Sequence, residues 1–231
     1  MRRRHLATAA TAAAALLLTG CGESADTPPH AADRPATSAP IPVPPAPAVP
    51  HDLAACAATP PTGPIVRTGY GLDYPKGSIH IAVTPFDGTP PLCVEFTKSG
   101  PADPQVPPDT LLFTFAGPHG EGAQIEFDSV ALTGGLLPAL GNGFIPRVGP
   151  LDHPLDARVG AAIGGTYYAA AGCSLLLTQV TATGAGGRFE CPAAAPAPNQ
   201  FAPSDDVDYE LDDTVPRPAG AALSGWFELR R

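Results

Sequence analysis

Six carboxylates lie close together near the end of the chain, and a cluster of oxygen ligands could bind Ca²⁺. The strongest candidates for such ligands are Asp205, Asp206, Asp208, Glu210 and Asp212. The segment lacks the glycine and the closing glutamate of a calcium loop. Its acids alternate with apolar residues, which instead predicts an edge strand whose charged face discourages pairing with other sheets. We therefore expect no metal and no cofactor here.

Three histidines are candidates for a general base: His80, His119 and His153. The carboxylates Asp128, Asp152 and Asp156 are candidate partners for them. The sequence contains no Gly-x-Ser-x-Gly, Ser-x-x-Lys, His-Glu-x-x-His or P-loop motif. We therefore expect surface histidines in turns and a non-catalytic protein, with a hydrolase of unrecognised site geometry as an alternative.

The first twenty residues have the pattern of an export signal. Three arginines at positions 2–4 precede an uncharged run over residues 6–18, which is too short to span a membrane. The residues Leu18-Thr19-Gly20-Cys21 that follow resemble the bacterial lipobox. That resemblance implies cleavage before Cys21 and attachment of a diacylglyceryl group and a further acyl chain such as palmitate to it. The alternative is an ordinary secretory leader followed by a cysteine by chance.

Two or three acyl chains on one residue give stable anchoring, so the membrane is the expected partner through Cys21. The expected location is the extracytoplasmic face of the cell membrane. Residues 21–55 form a Pro/Ala-rich linker that cannot bury a core, and we expect a disordered stalk there. Residues 56–231 are long enough for a single β-rich domain.

Four cysteines remain after Cys21: Cys56, Cys93, Cys173 and Cys191. An even number in an exported protein predicts disulfide bonds. Of the three connectivities we favour Cys56 with Cys93 and Cys173 with Cys191, because the second pair brackets a glycine-rich hairpin loop. The sequence has no Cys-x-x-Cys and no histidine at ligand spacing from these cysteines, which disfavours a metal or redox site.

Period-two alternation of apolar residues runs through the domain and predicts many short strands. The predicted strands are 78–84, 92–97, 111–116, 124–133, 167–170, 174–183, 188–191, 207–211 and 223–229. Within 124–133 the apolar parity switches, which predicts a bulge near Asp128 and Ser129. One helical turn is expected over 219–223. The fold class is therefore all-β, an antiparallel sandwich or a barrel-like domain held by disulfides.

Charge argues against one class of partner. The net charge is −9, and removing the three leader arginines reduces the 13 basic residues to 10 and takes the charge to −12. A phosphate-binding surface needs the opposite sign, so nucleic acid is excluded as an expected partner.

A further resemblance lies near the end of the chain. The segment 173–191, together with Leu223-Ser224-Gly225-Trp226-Phe227, resembles small lipidated surface antigens of mycobacteria and other actinobacteria. This resemblance implies a non-catalytic envelope or surface protein that binds a lipid or an envelope-protein partner. The alternative is a carrier of lipid or glycolipid, in which the apolar run over residues 136–145 would line or cover a cavity.

Overall fold

A computed structural model describes residues 48–107, 109–134, 147–201 and 218–231. The described chain is almost entirely β-structure. In chain order its elements are β1 (Pro50–His51), α1 (Leu53–Cys56), β2 (Val66–Arg67), β3 (Lys76–Pro85), β4 (Leu92–Ser99), β5 (Gln105–Val106), β6 (Thr110–Ala116), β7 (Gly122–Asp128), α2 (Ser129–Thr133), β8 (Arg147–Val148), β9 (Leu155–Ile163), β10 (Thr166–Val180), β11 (Gly184–Ala197) and β12 (Ala221–Arg230). No helix in these ranges has the length and apolar character that a membrane crossing requires.

Eight of these strands form a closed antiparallel barrel. Around the barrel the order is β3, β4, β6, β7, β9, β10, β11 and β12, and β12 pairs with β3 to complete the circle. Each barrel strand therefore neighbours the next barrel strand in the chain, which is an up-and-down arrangement. The predicted all-β antiparallel class is confirmed, and of its two forms the chain adopts the barrel.

The closure between β4 and β6 is short. Residues 97–99 of β4 pair with residues 114–116 of β6, and the first half of β4 has no partner from β6. The strand β1 occupies that place, with Pro50 opposite Val94 and His51 opposite Cys93. We call the junction of β4 with β1 and β6 the seam, and β1 continues the sheet there by pairing with the part of β4 that β6 leaves free. Ordered barrel contacts therefore begin before residue 56, within the range that the sequence assigns to the linker.

Side chains of the described residues pack together inside the barrel. The alternation seen in the sequence places one face of every strand inward, and Phe96, Phe113, Phe127, Phe189 and Phe227 meet there with aliphatic residues of the other strands. A set of twelve large side chains has less than 2% of its surface exposed: Tyr74, Phe96, Phe115, Phe189, Phe227, Ile79, Ile81, Leu111, Ile125, Leu132, Leu175 and Leu223. The core of this domain is the inside of the barrel.

One end of the barrel is capped by the segment that leads into β3. Its backbone joins β10 through Gly63 N–H to Thr178 O at 2.9 Å and Val180 N–H to Pro64 O at 3.0 Å. Its apolar side chains Ile65, Leu72 and Tyr74 belong to the core. The inward-facing Lys98 lies buried and donates from Nζ to the carbonyl oxygens of Ser99 and Pro101, so its charge is solvated by backbone.

Two local expectations are wrong. The parity switch near Asp128 marks the end of β7 and the start of the helix α2, not a bulge. The helix ends at Gly134, whose φ of 80° is the left-handed conformation that glycine adopts most readily. The turn expected over 219–223 is also wrong, because β12 begins at Ala221 and pairs with β3 and β11 along its length. The predicted strand 207–211 lies outside the described residues.

The two disulfide bonds join Cys56 to Cys93 and Cys173 to Cys191. The second bond crosses between β10 and β11 on their inward face and belongs to the core. The first lies on the outer face, where it ties α1 to β4 over Ala82. One bond therefore supports the interior, and the other fastens the start of the domain to the wall.

Candidate functional site

Four side chains form a cluster on the outer face of the barrel, and we name it the His–Trp cluster: His51, His80, Glu95 and Trp226. They come from β1, β3, β4 and β12, which are neighbours in the sheet. The register places His80 opposite both Glu95 and Trp226. Since Ile79 and Ile81 face the interior, the same alternation turns His80 outward, onto the wall beside α1.

Trp226 connects the cluster to α1. Its indole N–H donates to the carbonyl oxygen of Ala55 at 2.8 Å. The imidazole of His80 stacks on the indole with ring centroids 4.3 Å apart and planes inclined by 17°. The helix has four residues and needs such outside support, because isolated helices of this length are not stable in water.

Glu95 lies between the two histidines. Its Oε1 is 3.8 Å from Nε2 of His80, and its Oε2 is 3.8 Å from Nε2 of His51. These distances are too long for hydrogen bonds and correspond to ion pairs only when the imidazoles are protonated. The side chain of His80 is 14% exposed and that of Glu95 is 39% exposed, so the two partners meet at the edge of the solvent.

Burial lowers the pKa of His80, and the nearby charge of Glu95 offsets part of that effect. The Nδ1 atom of His80 is buried and has no hydrogen-bond partner within the described part of the chain. An N–H at that position would be unsatisfied, whereas a lone pair there costs less. The favoured form is therefore the neutral imidazole with its proton on Nε2, toward Glu95.

The side chains of the His–Trp cluster can bind and release protons. The cluster contains two imidazoles, one carboxylate and an indole whose N–H is already used, and none of these is a hydroxyl or thiol nucleophile. Among residues 48–107, 109–134, 147–201 and 218–231, no group of three or more His, Cys, Asp or Glu side chains is arranged to hold a metal ion.

A second surface feature, the outer groove, lies on the same wall across β10, β11 and β12. It is an open depression of about 560 Å³ with a mostly apolar surface, and its lining residues include Ser174, Glu190, Cys191, Pro192, Leu223 and Ser224. The strand register shifts beside it, between Ala170 and Cys173 on β10 and between Cys191 and Ala194 on β11. Such bulges bend the sheet locally, and the volume of the depression is within the range of small-molecule sites.

The other site residues predicted from the sequence either fall outside the described residues or stand apart from the His–Trp cluster. Cys21 and the five acidic candidates from Asp205 to Asp212 are outside the described residues. His119 is exposed in the turn between β6 and β7 with a φ of 52°, and His153 is exposed just before β9. Within the described ranges neither histidine forms an ion pair or a ring contact. The candidate base His80 does join a cluster, but with partners that the sequence did not indicate.

Comparisons with protein-family models, with curated proteins and with solved structures found no match for this chain.

Proposed function

We propose that the chain is a lipid-anchored, non-catalytic module of the cell envelope that binds its partner on the outer surface of the barrel. The anchor is the acylated Cys21 that the lipobox resemblance implies. The partner is an envelope protein or a lipid-derived group that contacts the wall or the loops. The proposal depends most on one observation, which is the close packing of the large core side chains of the described residues inside the barrel.

An eight-stranded barrel holds either packed side chains or one small ligand. Side chains that line a cavity larger than a water molecule keep accessible surface toward that cavity. The twelve large side chains of the core keep almost none, and the Cys173–Cys191 bond takes up further interior space. This packing supports a surface-binding module over a carrier that encloses a lipid.

The disulfides support the expected location. Such bonds persist in oxidising compartments and are rare in the bacterial cytoplasm. Both bonds are closed in the structure, and all four cysteines are buried. An exported domain with a protected core of this kind suits exposure at the cell surface.

The outer groove supports binding on the wall. Small residues such as Gly172, Ser174 and Ala222 leave it open, and Glu190 on its lining lies 3.8 Å from the guanidinium of Arg188. A mostly apolar surface with a smaller share of polar atoms, as this groove has, is usual for a recognition surface.

The anchor is tested by expressing the full chain in a bacterium that processes lipoproteins and separating its membranes from its soluble fractions. We expect the native chain in the membrane fraction and the Cys21→Ser variant in the soluble or released fraction. Ser24→Ala, which leaves the lipobox intact, is the matched control. Membrane recovery of the Cys21→Ser chain would contradict the anchor.

The mode of binding is tested by native mass spectrometry and lipid extraction of the protein purified from its own envelope. A packed barrel is expected to release no stoichiometric lipid other than the acyl chains on Cys21. A stoichiometric lipid that survives removal of the anchor would instead favour the carrier.

A further inference from the structure

We propose that His80 is a proton-operated latch, which holds β1 and α1 against the barrel wall while it is neutral and loosens them when it is protonated. The latch concerns the place where the expected stalk meets the domain. It stands on the geometry of the His–Trp cluster and does not depend on the anchor or on the binding mode proposed above.

Three of the contacts that fasten β1 and α1 to the barrel matter here. They are the pairing of β1 with β4, the Cys56–Cys93 bond, and the hydrogen bond from Trp226 to Ala55 O. The pairing of β1 covers only two residues, so it is weak by itself. The contact of Trp226 with α1 in turn depends on the orientation of the indole, and the stacked imidazole of His80 supports that orientation.

Protonation of His80 is unfavourable in this arrangement because of the surroundings of Nδ1. A second proton on His80 would sit on Nδ1, which is buried with no acceptor among the described residues, and it would bring a positive charge into a largely buried position. The imidazolium is relieved by turning its ring toward solvent and Glu95. That movement removes the stack from Trp226 and leaves α1 held mainly by its disulfide bond.

The charged neighbours act in opposite directions. Glu95 on β4 and Glu228 on β12 favour the protonated form of His80, and His51 on β1 opposes it when charged. The helix α1 carries no charged side chain, and the carboxylate of Asp52 before it accepts from Ala54 N–H at 2.9 Å. Burial outweighs the two carboxylates, so the pKa of His80 lies below its ordinary value.

The lowered pKa of His80 determines how the stability of the folded chain changes with pH. Between the pKa of a histidine in the unfolded chain, about 6.5, and the lower pKa of folded His80, the unfolded chain binds more protons. The contribution of His80 to stability is therefore complete above that window and is lost as the pH falls through it. Mild acid is expected to act on α1 through Trp226, because the imidazole stacks on the indole whose N–H donates to Ala55 O.

Amide hydrogen exchange of the intact protein tests the latch. We expect the backbone amides of residues 54–58 to exchange about tenfold faster at about pH 5 than at about pH 7.5, after correction for the intrinsic rate. The variant His80→Phe keeps an aromatic ring on Trp226 and cannot take a proton, so its protection should not depend on pH. Acid loosening of residues 54–58 in His80→Phe would overturn the proposal.

A second readout uses the chain's single tryptophan. Emission of Trp226 should titrate with one midpoint that His80→Phe abolishes. Glu95→Gln should move that midpoint to lower pH, and His51→Gln should move it to higher pH, since each removes one of the opposing charges. Both side chains are partly exposed, so these variants should fold even if His80→Phe does not. The latch would also be overturned if Trp226 emission titrated while the exchange of residues 54–58 stayed constant. The same holds if neither Glu95→Gln nor His51→Gln moved the midpoint.

Discussion

The phenol of Tyr74 donates to the carbonyl oxygen of Thr181 at 2.6 Å, and this bond joins the capping segment to the hairpin between β10 and β11. Residues 74 and 181 are far apart in the chain, and the side chain of Tyr74 has no exposed surface. Its backbone N–H also donates to Ala102 O at 2.9 Å. One residue therefore links three connections at the capped end of the barrel.

The first prediction concerns that hydroxyl. Tyr74→Phe should lower the free energy of unfolding by about 1 to 3 kcal/mol, because it leaves the Thr181 carbonyl without this donor while the aromatic packing stays. Urea unfolding measures the loss. Tyr70→Phe is the matched control, since Tyr70 is partly exposed and only its backbone groups bond to Thr68. Equal stability losses in the two variants would count against the role of this bond.

The second prediction concerns alkaline pH. Burial raises the pKa of the Tyr74 phenol, so the folded chain keeps that proton after phenols of the unfolded chain, which titrate at about pH 10, have lost theirs. The folded state then binds more protons, and the stability due to Tyr74 is complete below that pH and declines above it.

Urea unfolding at about pH 9 and at about pH 10.5 should show a smaller decline for Tyr74→Phe than for the native chain. Tyr167 and Lys98, whose pKa values burial raises and lowers respectively, are present in both chains, so the comparison isolates Tyr74. An identical decline in both would refute the assignment.

The third prediction compares two glycines in neighbouring strands. A Cβ added to Gly160 on β9 would overlap the hydroxyl of Tyr167, whereas one added to Gly172 on β10 meets no atom within 4 Å. Gly160→Ala should therefore cost about 1 to 3 kcal/mol through displacement of Tyr167, and Gly172→Ala should cost less. Thermal unfolding of both variants provides the measurement, and a reversed order would show that the Tyr167 ring does not rest on Gly160.

The fourth prediction separates the two disulfides. Closing loops of 37 and 18 residues is worth about 3 to 4 kcal/mol each in the chain-entropy model. Removing the outer bond with Cys56→Ala and Cys93→Ala should increase hydrogen exchange mainly in α1 and the start of β4. Removing the interior bond with Cys173→Ala and Cys191→Ala should increase it throughout the barrel, because a cavity is left in the core as well.

Intact-mass measurement provides the check on this pairing. When the protein with unchanged sequence is denatured and alkylated without reductant, none of the four domain cysteines should be modified. Modification of two or more would contradict the closed bonds, and exchange maps that do not differ between the two double variants would contradict the assigned inner and outer positions.

Strands with one buried face were predictable from sequence, because period-two alternation is a direct consequence of facing a core. The strand containing Ile79, Ile81 and Val83 is an example. The alternation predicted a bulge where β7 ends and α2 begins, because a bulge and the start of a short helix change the parity of the apolar residues in the same way. The sequence also did not distinguish a barrel from a sandwich, because alternation shows which face of a strand is buried but not which strands pair.

The His–Trp cluster was not predictable for a related reason. His80 was one of three candidate histidines, but its partners His51, Glu95 and Trp226 are distant in sequence and adjacent only through strand register. The outer groove depends on two register shifts that leave no sequence signature. Lys98 continues the inward parity of Val94 and Phe96, but its charge made an inward position unexpected.

The seam between β4 and β6 has a practical consequence for preparing this protein. A recombinant fragment that starts at residue 56 would lack Pro50 and His51 and would expose the bare backbone of β4 beside Val94. It would also lose the bond from Ala48 N–H to the Glu121 carboxylate at 3.2 Å. An uncovered strand edge invites another molecule to supply the missing strand. Such a truncated product is expected to oligomerise or precipitate, and useful expression boundaries should begin upstream of residue 48.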